Sequence, residues 1–233
     1  MDWLFNPVAD AEFEEVRNTS LSKLVRDQLL SQILSGVFAP GQALREPELV
    51  DRLKVSRVPV REALRELESS GLVVSRKHSG AYVRELSDDE VRDLYQFRAL
   101  LDSHAGRIVM GLPEARRAEL ANALDAQTEI MDAAIRDEQP QSYYRANLQF
   151  HWLFIDYAGN KEIAKAYREL IQKLHLARLK GLSTPMHRSE SNAEHKRIVQ
   201  ALRAAVTPAD VDHLAGLLSS HVFNAYERLS RIT

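Results

Sequence analysis

The chain has 233 residues, no cysteine and a nearly balanced charge, 31 Lys and Arg against 33 Asp and Glu for a net of -2. That length accommodates one small and one larger domain, and the lack of cysteine excludes disulfides and thiolate metal sites. No apolar run approaches the ~18 residues of a membrane span, and the N-terminus lacks a basic-then-apolar leader pattern, so a cytoplasmic protein with no membrane partner is expected.

Charge is unevenly placed. Residues 1–19, with Asp2, Asp10, Glu12, Glu14 and Glu15, read as an acidic arm to which no role is assigned. Residues 20–84 carry 11 Lys and Arg against 7 Asp and Glu, the basic balance expected of a nucleic-acid-binding unit.

Within that basic stretch, Leu21, Leu24, Val25, Leu29, Ile33 and Leu34 recur with a helical period that stops at Ser35-Gly36. Phe38-Ala39-Pro40-Gly41 then reads as a turn. A short helix over 46–53 leads through Lys54-Val55-Ser56 into a second helix. Ser56 is placed to cap that helix, and Pro59 sits in its first turn, where a missing N–H costs nothing. Arg57, Arg61 and Arg65 share one face, and Val60, Ala63, Leu64 and Leu67 make the other. Taken alone, with Glu62, Glu66 and Glu68 interspersed, this could be a solvated, salt-bridged helix.

The sequence that follows favours DNA. Gly71 ends the helix, and residues 72–75 and 81–84 read as two strands around Arg76-Lys77-His78-Ser79-Gly80. Three helices and a basic-tipped hairpin make a winged helix-turn-helix. Its arginine face suits the major groove, where Arg reads guanine O6 and N7, and Lys77 and His78 can reach phosphates or the minor groove.

After a linker over 85–89 no strand signal appears, and residues 90–233 read as a bundle of six antiparallel helices. Ser87-Asp88-Asp89-Glu90 opens the first, to about 110. The others span about 113–137, 141–158, 160–180, 188–205 and 209–231, with 181–187 a loop. The fold class is therefore mainly α, a winged helix-turn-helix followed by an all-helical domain.

Asn147 and His151 lie one turn apart on a face shared with Leu148, Phe154 and Ile155. His195 keeps helical spacing with Ile198 and Leu202, and His221 with Leu214, Leu217 and Leu218, so three helices aim polar donors inward. One buried imidazole usually marks a core hydrogen bond. Three with an amide point instead to a transition-metal site, with zinc first and nickel or manganese as alternatives. His175 reads either as lining an effector cavity or as a hydrogen-bonded core residue. Arg98 is a candidate carboxylate clamp or an interhelix salt bridge. Tyr143 and Tyr144 are placed to donate to an effector or to pack at the boundary. His104 reads as an effector contact or a packing residue, and His187 and His213 as solvated.

Pro40-Gly41, Leu44, Glu46, Glu48-Leu49, Val55-Ser56-Arg57, Pro59-Val60-Arg61-Glu62-Ala63-Leu64, Gly71-Leu72-Val73 and Gly80-Ala81-Tyr82-Val83 together resemble the DNA-binding domain of GntR-type bacterial transcription regulators. Asn147 to His151, Asn160, Glu194-His195 and His221 resemble the helical effector domain of the FadR-like subfamily, the FCD domain. Six bundle helices suggest its VanR-like branch. With the arginine face and the basic wing tip, the resemblance leads to expected DNA contacts from Arg45, Ser56, Arg57, Pro59, Arg61, Arg65, Lys77, His78 and Gly80. It implies metal ligation by Asn147, His151, His195 and His221; the effector contacts expected from the residues themselves are Arg98, Asp102, Tyr144 and His175. Four positions depart from the family pattern: Pro47 where some relatives have a DNA-contacting arginine, Lys54 where glycine is usual, Asp102 for glutamate and Asn147 for aspartate.

The function expected is a homodimeric regulator bound to a near-palindromic operator and released by a small carboxylate effector. Two alternatives stand beside it: a regulator whose metal is structural or itself sensed, and a metal-dependent hydrolase. Against the hydrolase, no His-Glu-x-x-His motif is present, and Glu194 points roughly 100° away from His195 on its helix.

Overall fold

A computed structural model describes residues 21–77, 79–178, 185–205 and 207–230. The described residues form nine helices and three strands, in two compact units. One unit holds the described residues up to Ser87 together with Ile171 and the residues after it in its helix; the other holds Asp88–Leu170 and the two C-terminal helices.

In the first unit, α1 (Leu21–Leu34) buries Val25, Leu29, Ile33 and Leu34 at the predicted spacing. Helix α2 (Glu46–Leu53) ends in Lys54, whose φ of 55° and ψ of 40° put a lysine in the left-handed conformation usually left to glycine. Helix α3 (Arg57–Ser69) sends Val60, Ala63, Leu64 and Leu67 into the core. Gly71, at φ 74°, turns the chain into β2 (Val73–Arg76), which pairs antiparallel with β3 (Gly80–Val83). Both strands lie one residue from where the hydrophobic pattern put them.

Sequence reading missed β1 (Ala43–Leu44), which pairs Ala43 with Tyr82 and Leu44 with Ala81 and makes the wing a three-stranded sheet in the order β1-β3-β2. Two residues are too short to show an alternation, so no periodic signal announced it.

The second unit contains α4 (Asp88–Met110), α5 (Glu114–Arg136), α6 (Pro140–Tyr157), most of α7 (Lys161–Arg178), α8 (Pro185–Ala204) and α9 (Pro208–Ser230). Asn160 caps α7, its Oδ1 accepting from the N–H groups of Glu162 at 3.0 Å and Ile163 at 3.1 Å. Helix α4 packs on α9 and α6, α5 on α6 and α8, and α8 on α9. At the α4–α9 crossing Gly106 is buried, and a Cβ there would stand 2.5 Å from Leu218 Cδ1.

Two boundaries differ from expectation. Helix α8 begins at Pro185, inside the predicted loop, because proline is tolerated in a first turn; residues 181–184 lie outside the described part. From Ile171 on, α7 belongs with the first unit, where Leu176 joins the winged core. Among the described residues no helix is long and apolar enough to cross a membrane.

Candidate metal centre and nucleic-acid interface

His151 on α6, His195 on α8 and His221 on α9 come together in the second unit, all buried, with one nitrogen of each within 4.8 Å of the others. The Nε2 atoms converge: His151 to His221 is 3.2 Å and His151 to His195 is 3.4 Å. Two nitrogens bound ~2.0–2.1 Å from one tetrahedral zinc ion lie about 3.3–3.4 Å apart, so the spacing fits a shared ion.

Carboxylates set the tautomers. His151 Nδ1–H donates to Asp102 Oδ1 at 3.0 Å, and His221 Nδ1–H donates to Glu194 Oε2 at 2.6 Å. Each proton on Nδ1 leaves the opposite Nε2 as a bare lone pair facing the other rings. Burial, reinforced by the Arg98 charge, holds His151 down to about 4. Burial first, then the neighbouring imidazoles, puts His195 well below its ordinary value, and burial likewise lowers His221 against the pull of Glu194. The three rings are therefore neutral at neutral pH, the form in which imidazole nitrogens can ligate a metal cation. His195 Nδ1 is itself buried without a hydrogen-bond partner among the described residues.

The supports are charged and paired. Asp102 also takes Arg98 Nε at 3.3 Å and the Tyr167 hydroxyl at 3.3 Å. Burial raises the Asp102 pKa, but His151 and Arg98 outweigh it and hold the carboxyl below its ordinary value. Glu194 is gripped by Arg228 through two bonds of 3.0 and 2.9 Å, and by Asn224 Nδ2 at 2.9 Å. Burial opposes ionisation of Glu194, yet the bonds from His221 and Arg228 bring it down to about 2. Asn147 is buried one turn before His151 on α6.

Several predicted roles change. Asp102, expected to touch an effector, holds His151, and its oxygens are also met by Arg98 and Tyr167. Arg98 is buried in the salt bridge to Asp102, from the same helix rather than another. His175 lies in the first unit, its Nε2 donating to the Leu34 carbonyl at 2.8 Å, which fits the core reading and not the effector cavity. Tyr144 is half-buried, Tyr143 donates its hydroxyl to the Arg188 carbonyl, and His104 is exposed. Glu194 is the residue sequence reasoning set aside. It does point away from His195, but towards His221 on the next helix, a contact no single-helix period encodes.

On the winged unit Arg57, Arg61 and Arg65 are exposed on α3, opposite its buried face. Arg61 Nε donates to Glu46 Oε2 at 2.8 Å, and Arg45 pairs with Glu48 at 3.0 Å. Val58, 63% exposed, adds an apolar group of the kind that meets a thymine methyl. Ser56 occupies the N-cap position of α3 with extended backbone (φ -73°, ψ 170°) but makes no side-chain capping bond, so its hydroxyl is not spent on the helix. Pro59 is buried and packs inward, which removes it from the expected DNA contacts. Gly80, at φ 93°, and Lys77 are exposed in the wing, while His78 lies outside the described residues.

Comparison with known proteins agrees with both halves. The family described as bacterial regulatory proteins, gntR family, matches residues 21–83, and the FCD domain matches residues 93–222. The chain is 30% identical to the HTH-type transcriptional regulator YdhC of Bacillus subtilis strain 168, over 81% of this chain and 83% of that one. It is 28% identical to the probable D-xylose utilization operon transcriptional repressor of Paenarthrobacter nicotinovorans, over 84% of each. Among solved structures, a GntR regulator from Rhodococcus sp. RHA1 shares the fold with a TM-score of 0.72 at 24% identity, over 91% of this chain and 99% of that one. McbR/YncC of E. coli does so at 0.68 and 20% identity, over 92% and 100%. Two family domains in this order, covering most of the described residues, leave no room for the hydrolase: the chain belongs to the GntR family of bacterial transcriptional regulators, with a helix-turn-helix domain followed by an FCD domain.

Proposed function

We propose that this regulator is a metal-dependent, metabolite-responsive repressor. Two copies dock their α3 helices on the half-sites of a near-palindromic operator, in the manner of symmetric helix-turn-helix dimers. His151, His195 and His221 would hold the metal, zinc in the first instance, with Asn147 near enough in sequence to offer an amide oxygen. Bound there, the ion supplies Lewis acidity and charge at which a carboxylate effector can be held. Repression fits the named role of the Paenarthrobacter nicotinovorans relative.

The observation that carries this reading is the convergence of three buried imidazoles through their Nε2 atoms, with the Nδ1 atoms of His151 and His221 held by carboxylates. The local charge supports an anionic ligand. Asp102 and Glu194 balance Arg98 and Arg228, so a divalent ion on neutral imidazoles and a neutral Asn147 leaves about two positive charges to answer. An effector releases DNA only if it binds the free and DNA-bound conformations with different affinity.

The burial of all three imidazoles favours a second reading, in which the metal is structural or is itself the signal. Operator binding measured with metal chelated, restored, and restored with a panel of organic acids separates the two. Acid-dependent release supports the effector reading, and metal dependence with no acid effect overturns it in favour of the second.

A further inference from the structure

Of the three exposed arginines on α3, Arg61 alone is held by a carboxylate. Among the described residues no ion pair or hydrogen bond joins Arg57 or Arg65 to a partner, whereas Arg61 Nε donates to Glu46 Oε2 at 2.8 Å. This bond spans fifteen positions in sequence and ties α3 to α2, unlike the local Arg45–Glu48 pair. Glu46 is the more enclosed member of the pair, 34% exposed against 57% for Arg61, and Pro47 after it restrains the first turn of α2. Both side chains line a groove of about 340 Å³ between α3 and the wing, with Arg65, Glu68 and Arg76.

A guanidinium has five N–H donors, and a carboxylate on Nε leaves the two terminal nitrogens to meet guanine O6 and N7. Arg carries much rotamer freedom, which an unrestrained side chain must lose on binding a base. A carboxylate behind the guanidinium removes that freedom before DNA arrives and fixes the plane of the fork. Its negative charge also repels phosphates, so it disfavours every duplex that does not repay Arg61 with a base contact.

We propose that Glu46 is the specificity-determining residue of this regulator, a positioning residue that holds Arg61 in its base-reading orientation and penalises non-cognate DNA. The inference rests on the reading of α3 as a major-groove helix.

The test uses the full-length protein and a randomised duplex library. The duplex it enriches and a shuffled duplex of the same composition are then titrated with wild type, Glu46→Ala, Glu46→Gln, Arg61→Ala and the Glu46→Ala/Arg61→Ala double variant. Glu46→Ala should bind the shuffled duplex as well as wild type or better, while the selected-to-shuffled affinity ratio falls roughly tenfold, the size of one good bidentate base contact. Glu46→Gln, whose amide oxygen still accepts from Nε, should retain an intermediate ratio. In the Arg61→Ala background Glu46→Ala should leave the ratio unchanged, since nothing remains to be positioned. An unchanged ratio in Glu46→Ala, an equal loss on both duplexes, or a full further loss in the double variant overturns the proposal. A wild-type protein that enriches no sequence instead refutes the underlying DNA-binding reading.

Discussion

The arginine face of α3 and the histidine centre of the bundle are built by opposite rules. On α3 the charged groups stand in water, so each ion pair among them is worth little, on the order of 0–1 kcal/mol. On the proposed function, their value lies in what they meet when phosphates and base edges displace that water. In the bundle the polar groups are already out of water, and most survive because a neighbour satisfies them: Asp102 holds His151, Glu194 holds His221, and Arg98, Tyr167 and Arg228 hold the carboxylates. Single changes should therefore be severe in the bundle and mild on the surface.

The largest effect is expected at the histidines proposed to hold the metal. His151→Ala or His221→Ala should take metal content from stoichiometric to background by elemental analysis of purified protein, and full retention would remove that residue from the ligand set. Next in size is Asp102→Ala, which strands the buried Arg98 guanidinium and should cost about 3–5 kcal/mol in denaturant unfolding. A loss under 1 kcal/mol would mean that Arg98 finds water or another partner.

Acid should expose the same contrast. His151 is held near 4 in the folded protein against an ordinary value near 6.5, and the other two imidazoles are lowered as well. The unfolded chain binds protons first, so metal-free protein should keep this contribution above about pH 6.5 and lose it progressively towards pH 4. A chelated sample with a flat unfolding free energy across that window would show that the imidazoles are not buried and neutral. Smaller again, Glu194→Gln should weaken metal affinity roughly 10–100-fold by loosening His221, with little change in fold. Wild-type affinity in that variant would make the contact incidental.

How much of this was legible in sequence follows from the same physics. A helix prints its buried face at a fixed period, so Val60, Ala63, Leu64 and Leu67, and the inward His151, His195 and His221, could be read directly. Contacts between helices leave no such print. Glu194 holds a histidine 27 positions away, and Asp102 one 49 positions away. The same gap explains β1, whose two residues pair with a strand far along the chain, and His175, whose inward spacing was right while the unit it faces was not. Pro59 failed differently: a residue suited to a first turn can face either way, and here the core claims it.

The smallest effect is the most useful test of the surface half. Arg45 and its partner Glu48 are 71% and 64% exposed, so the pair is solvated on both sides and three residues apart on one turn. Arg45→Ala should therefore move unfolding free energy by less than about 0.5 kcal/mol. If Arg45 compensates for Pro47, it acts on phosphates, and phosphate contacts reveal themselves through released counterions rather than through stability. The slope of log affinity against log salt should then flatten by roughly 0.9 for each protomer on the selected duplex, and equally on a shuffled one. An unchanged slope would place Arg45 off the DNA and leave the Pro47 position uncompensated.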